Sequence, residues 1–87
     1  MHLGLNKNLG QHFLIDEEVL GKIVDAAKIE PTDHIVEIGP GIGILTKELL
    51  ARAEHITTIE LDERMLGPLA IYTAKDGVPH PNLEVIH

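Results

Sequence analysis

Glu37-Ile38-Gly39-Pro40-Gly41-Ile42-Gly43 is the stretch whose residue types and spacing could do chemistry. Glycines let a backbone turn sharply and let a ligand approach where a Cβ would block it. Glu37 lies within the otherwise apolar run His34-Ile35-Val36-Glu37-Ile38. Burying a carboxylate without partners costs several kcal/mol. A ligand with cationic groups would lower that cost; the competing role is a strand-end carboxylate bound to backbone donors. Glu60 closes the run His55-Ile56-Thr57-Thr58-Ile59-Glu60. An acid about 20 residues after a glycine loop is where nucleotide-binding folds accept hydrogen bonds from vicinal ribose hydroxyls. Such bonds to a charged acceptor contribute about 1.5–3 kcal/mol each. The alternative for Glu60 is to cap a helix starting near Asp62, and Asp62 is itself better placed for that.

The glycine spacing separates two nucleotide classes. A dinucleotide fingerprint reads G-x-G-x-x-G, whereas this loop reads G-x-G-x-G and has Ile at position 44. A carboxylate at Glu37 would also repel a pyrophosphate. S-adenosylmethionine carries an ammonium, a sulfonium and a ribose, so it suits two acids flanking a glycine loop. Other chemistries are excluded or weak. The chain has no serine and no cysteine, which removes those nucleophiles. None of its six histidines has metal-ligand spacing with a third ligand. Asp62, Glu63 and Arg64 read as a solvated helix start.

These residues need elements to position them. The first ten residues are Gly- and Asn-rich and read as an irregular arm, with residues 1–15 forming an N-terminal segment. Asp16 reads as an N-cap with Glu17 and Glu18 in the first turn. Val19, Leu20, Ile23, Val24 and Ala27 then make one stripe of a helix over about 16–28. Pro31-Thr32-Asp33 ends it in a turn. Strands are expected over 34–38, 55–60 and from 82 onward, with helices over 44–53 and from 62 to about 75. Gly67-Pro68 is a weak point, where the last helix should kink or begin late. Strands alternating with helices imply right-handed crossovers and a parallel α/β sheet, here the first half of a doubly wound one.

Composition bounds the partners. With 87 residues there is room for one domain, which buries only about 60–65% of its unfolded surface. A net charge of −7 is the wrong sign for a free-standing nucleic-acid binder. Phe13 and Tyr72 are the only aromatics, so no stacking platform for bases exists in this stretch. No apolar run reaches the roughly 18 residues of a membrane span, and no signal-peptide pattern opens the chain. Absence of cysteine fits a cytoplasmic setting.

Three motifs carry a family resemblance. Asn8-Leu9-Gly10-Gln11-His12-Phe13-Leu14 resembles the N-terminal motif of the ribosomal RNA adenine N6-dimethyltransferases. Val36-Glu37-Ile38-Gly39-Pro40-Gly41-Ile42-Gly43-Ile44-Leu45-Thr46 is similar to their first nucleotide-binding motif, and Ile59-Glu60-Leu61-Asp62 to their second. The glycine motif alone marks only class I methyltransferases; the Gln-His-Phe-Leu motif is much narrower. The resemblance implies the Rossmann-like methyltransferase fold and S-adenosylmethionine as cofactor. It implies cofactor contacts at His12 (mainly through backbone), Leu14 at the methionine end, Gly39 and Gly41 beneath that end, Glu60 on the ribose and Leu61 beside it. The family transfers two methyls to N6 of each of two adjacent adenines near the 3′ end of small-subunit ribosomal RNA.

The motifs by which that family holds adenine follow its third and fourth strands, so no catalytic residue is expected within residues 1–87. Tyr72 falls on an expected helix, away from any strand's carboxyl end. By itself this stretch is expected to be inactive in methyl transfer. It should also leave a sheet edge and an apolar sheet face uncovered, which favours association with another copy. Three functions remain open on sequence: a ribosomal RNA adenine dimethyltransferase, a paralogue (an antibiotic-resistance RNA methylase or a mitochondrial transcription factor of the same fold), and a non-enzymatic cofactor-binding or ribosome-assembly module.

Overall fold

A computed structural model describes residues 17–87; His12, Leu14 and Asp16 lie outside the described residues. The element order is α1 (Glu17–Ala26), β1 (His34–Ile38), α2 (Ile44–Leu50), β2 (His55–Ile59), α3 (Glu63–Thr73) and β3 (Leu83–Ile86). The three strands form one parallel sheet in the order β1-β2-β3. The expected α/β alternation is therefore present, and the described strands have β2 at the centre.

Strand register sorts the side chains onto two faces, because successive residues of a strand point to opposite sides. Ile35 pairs with Ile56, and Ile56 with Leu83. Glu37 pairs with Thr58, and Thr58 with Val85. This face meets α2: Leu49, Ala53 and Ile56 form the buried centre, with Ile29, Ile35, Leu45, Leu50 and Leu83 packed around it. The acid of Glu37 thus enters the covered side of the sheet, beside the core and not in its middle.

Helix α1 docks on α2 by burying Leu20 and Val24. An exposed ion pair ties the same helices, with Arg52 Nη1 2.7 Å from Asp25 Oδ1. Helix α3 docks on α2 through Leu69 and Thr73, both buried. The opposite face carries His34, Val36, Ile38, His55, Thr57, Ile59, Glu84 and Ile86. No described helix shields it: Val36 is 60% and Ile38 69% exposed.

Helices α2 and α3 differ from the sequence expectation, and the loop before β3 has a defined turn. Helix α2 stops at Leu50; the backbone turns at Ala51, whose N–H reaches back to Glu48 and Leu49. That turn drops Ala53 into the core and lets the Glu54 N–H bond Pro31 O at 2.9 Å. Helix α3 does not begin late. Asp62 caps it by accepting from the Arg64 N–H at 2.9 Å, and the helix runs through Pro68 to Thr73. Pro68 and Arg64 are both exposed, so the backbone bond that proline removes is lost where water can replace it. The 76–81 loop opens with a tight turn: Asp76 (φ 54°) and Gly77 (φ 80°) are left-handed, and Lys75 and Val78 exchange backbone hydrogen bonds of 2.8 and 3.1 Å. This turn sets where β3 enters.

Candidate functional site

The carboxyl ends of β1 and β2 lie side by side because the two strands run parallel with Ile38 opposite Ile59. The Gly39 N–H donates to Ile59 O at 2.9 Å, extending the ladder by one step before the chain leaves the sheet. Gly39 (φ 70°), Gly41 (φ 61°) and Gly43 (φ 100°) then take left-handed conformations. The Gly43 N–H bonds Pro40 O at 3.0 Å, and Gly43 O accepts from Lys47 N at 2.8 Å, starting α2.

The glycines do different work. A Cβ on Gly39 or Gly41 would meet nothing within 4 Å, so open space lies above both. A Cβ on Gly43 would lie 2.8 Å from both Leu69 Cδ1 and Thr73 Cγ2. Gly43 is therefore the contact that lets α2 approach α3. It was legible in the sequence only as the third glycine of the loop, with no signal for its partner.

Glu37 is 7% exposed. Its partners are side-chain hydroxyls, not the backbone donors that sequence reasoning offered as the alternative to a ligand. Thr46 Oγ1, from the first turn of α2, donates to Glu37 Oε1. Thr58 Oγ1, from β2, donates to the same oxygen at 2.9 Å. Both threonines are fully buried. Thr46 closed the glycine motif and Thr58 lay in the second strand run, but no sequence signal named either as a partner of Glu37.

Glu60 is 6% exposed and bridges the loop to the next helix. Its Oε1 accepts from the Gly41 N–H at 3.3 Å, and its Oε2 accepts from the Asp62 N–H at 2.8 Å. Each carboxylate oxygen has a second lone pair, so these bonds leave acceptor capacity for two ligand hydroxyls. Capping of α3 falls to Asp62, as the sequence implied. The Arg64 guanidinium hydrogen-bonded to Asp62 holds that carboxyl below the usual carboxylate range.

Leu61 follows Glu60 and is 80% exposed, an apolar side chain presented to solvent next to that acid in the chain. Gly39, Gly41, Glu37, Glu60 and Leu61 thus converge at one end of the sheet. Among the described residues no group of three or more histidines and acids could hold a metal ion. A separate recess lies toward the other end of the strands, lined by residues including His34, Glu54, His55, Thr57 and Glu84.

Comparison with known proteins gives this arrangement a context. The chain is 44% identical over 85 residues to the ribosomal RNA small subunit methyltransferase A of Dehalococcoides mccartyi; the match covers 98% of this chain and 28% of that protein. The chain therefore spans somewhat over a quarter of the length of such relatives. A dimethyladenosine transferase from Plasmodium falciparum superposes with a TM-score of 0.72 at 40% identity, over 85% of this chain and 27% of the other. The 23S rRNA methyltransferase ErmE superposes with a TM-score of 0.70 at 38% identity, over 85% and 29%. The ribosomal RNA adenine dimethylase family model matches residues 3–87, and on that match the chain belongs to this family.

Proposed function

We propose that residues 1–87 form the cofactor seat of an S-adenosylmethionine-dependent methyltransferase that dimethylates N6 of adjacent adenines in small-subunit ribosomal RNA. The observation that carries this reading is the pair of buried carboxylates, Glu37 and Glu60, flanking an open glycine loop at the carboxyl ends of two parallel strands. The loop has room for a ligand above Gly39 and Gly41. Glu60 keeps lone pairs for the ribose hydroxyls, Glu37 offers charge to the methionine end, and exposed Leu61 offers an apolar surface beside the ribose. His12 and Leu14 complete the seat as the family resemblance implies.

When bound, the cofactor supplies an electrophilic methyl on a sulfonium. The chain's own residues bind and orient it, and transfer to an amine is dominated by such positioning. The residues that hold the target adenine belong to segments outside 1–87. The target base would be splayed from the RNA to reach the pocket. The partner is the small-subunit ribosomal particle, and the setting is the cytoplasm. No described helix is long and apolar enough to cross a membrane.

The ErmE likeness keeps a second reading in view, a related RNA adenine methylase acting on the large-subunit RNA. Names of small-subunit enzymes among the relatives at 44–49% identity favour the first. The test is calorimetric titration with S-adenosylmethionine, followed by labelled-methyl transfer to small-subunit particles and to 23S RNA by the whole protein. Saturable 1:1 binding with transfer to the small subunit is expected. No binding overturns the cofactor assignment, and transfer to 23S RNA alone overturns the substrate.

A further inference from the structure

Glu37 is held asymmetrically. Two buried hydroxyls, one from α2 and one from β2, both donate to Oε1. A hydroxyl has one proton; Thr46 directs its donor to this oxygen, and Thr58 does so at 2.9 Å, closer than its alternative acceptor, the Glu37 backbone carbonyl at 3.5 Å. No described residue donates to Oε2. Glu37 is the penultimate residue of β1, so this oxygen belongs to a side chain two positions before the open glycine loop. If Glu37 only stapled β1 to its neighbours, one hydroxyl on each oxygen would satisfy it better. Convergence on Oε1 fixes the carboxylate plane and engages neither hydroxyl at Oε2.

We propose that Thr46 and Thr58 are positioning residues that, by clamping Oε1 of Glu37, present Oε2 to the cationic methionine end of the bound cofactor. This rests on the reading that the glycine loop seats S-adenosylmethionine. The threonines touch no ligand; they act through the carboxylate. Thr46 sits in the first turn of α2 and Thr58 on the central strand, so the clamp also couples the loop's exit helix to the sheet.

The experiment compares two ligands on the full chain. S-adenosylmethionine carries the ammonium and the sulfonium; 5′-methylthioadenosine keeps the adenosine and a neutral thioether but has neither charge. Thr46→Val and Thr58→Val each remove one donor at nearly constant volume. Each is expected to weaken S-adenosylmethionine binding about tenfold, since hydrogen bonds to charged groups are of that strength. Binding of 5′-methylthioadenosine should stay within about twofold. Thr46→Ser, which restores the hydroxyl, should return the wild-type preference. Equal losses for both ligands, or no loss for either, overturn the proposal and leave the threonines as structural staples. Failure of both valine variants to fold overturns it as well, since it marks the hydroxyls as part of the fold. Wild-type protein that binds neither ligand refutes the cofactor seat itself, a result distinct from any of these.

Discussion

Glu60 and Gly41, 19 residues apart in sequence, are joined by a hydrogen bond of 3.3 Å from the Gly41 N–H to the Glu60 carboxylate. The acid read as the ribose acceptor is thus also the acceptor for the backbone of the loop beneath the ligand. Glu60→Ala should weaken S-adenosylmethionine binding by about 2 kcal/mol or more, through loss of a charged acceptor for two hydroxyls. It should also lower stability by about 1 kcal/mol, because two part-buried backbone N–H groups lose their partner. Calorimetry reads the first and denaturant unfolding the second. Unchanged affinity would remove Glu60 from the site.

Gly41 and Gly43 should respond differently to alanine. At Gly43 the new Cβ would meet Leu69 and Thr73 at 2.8 Å in a left-handed conformation, so Gly43→Ala should destabilise by about 1–3 kcal/mol. At Gly41 the space is open, so Gly41→Ala should cost only the roughly 1–2 kcal/mol of a left-handed backbone. Its larger effect should fall on ligand affinity. Equal effects of the two on affinity, measured by titration, would argue against a ligand above Gly41.

His80 predicts a pH dependence. Burial, and secondarily the charge of Lys75, lower its pKa from the ordinary 6.5. Its Nδ1 accepts from the Asn82 N–H at 3.1 Å, a bond that protonation of that nitrogen removes. A folded-state pKa below the unfolded one means the folded chain binds fewer protons. The contribution is then full above pH 6.5 and is lost as the pH falls through the folded value. The His80 ring resonances should titrate below 6.5 by NMR. His80→Ala should flatten the stability difference between neutral and mildly acidic solution; an unaltered difference would assign it elsewhere.

The open sheet face is where copies of residues 1–87 should associate. Val36, Ile38 and Ile86 are exposed on it together. Ile38→Lys should shift sedimentation of this stretch toward the monomer. A wild-type stretch that sediments as a compact monomer would show that the face does not self-associate.

Much of this fold is legible in the sequence. The β-branched runs ending at Gly39 and Glu60 mark two strands, and the α2 stripe of Leu45, Leu49 and Leu50 marks the helix between them. Those patterns are local: a side chain's preference for the interior and the period of its element are written in neighbouring residues. Local preference is outweighed where distant contacts intervene. Pro68 argued for a helix that kinks or begins late; the Asp62 cap and the buried Leu69 and Thr73 start α3 at Glu63 and carry it across the proline.

The sequence by itself determined the helix–strand alternation, the glycine loop at the end of β1, the acid at the end of β2 and, through its motifs, the family resemblance. Only the tertiary structure decided what those residues touch. Thr46 and Thr58 meet on one oxygen of Glu37, Gly43 takes the contact with Leu69 and Thr73, and Glu60 holds the loop by Gly41. The reason is physical. These partners are brought together by the parallel register of β1 with β2 and by the approach of α2 to α3. A threonine hydroxyl or a missing Cβ carries no local pattern that names its partner; the pairing exists only once the sheet has fixed which residues face each other.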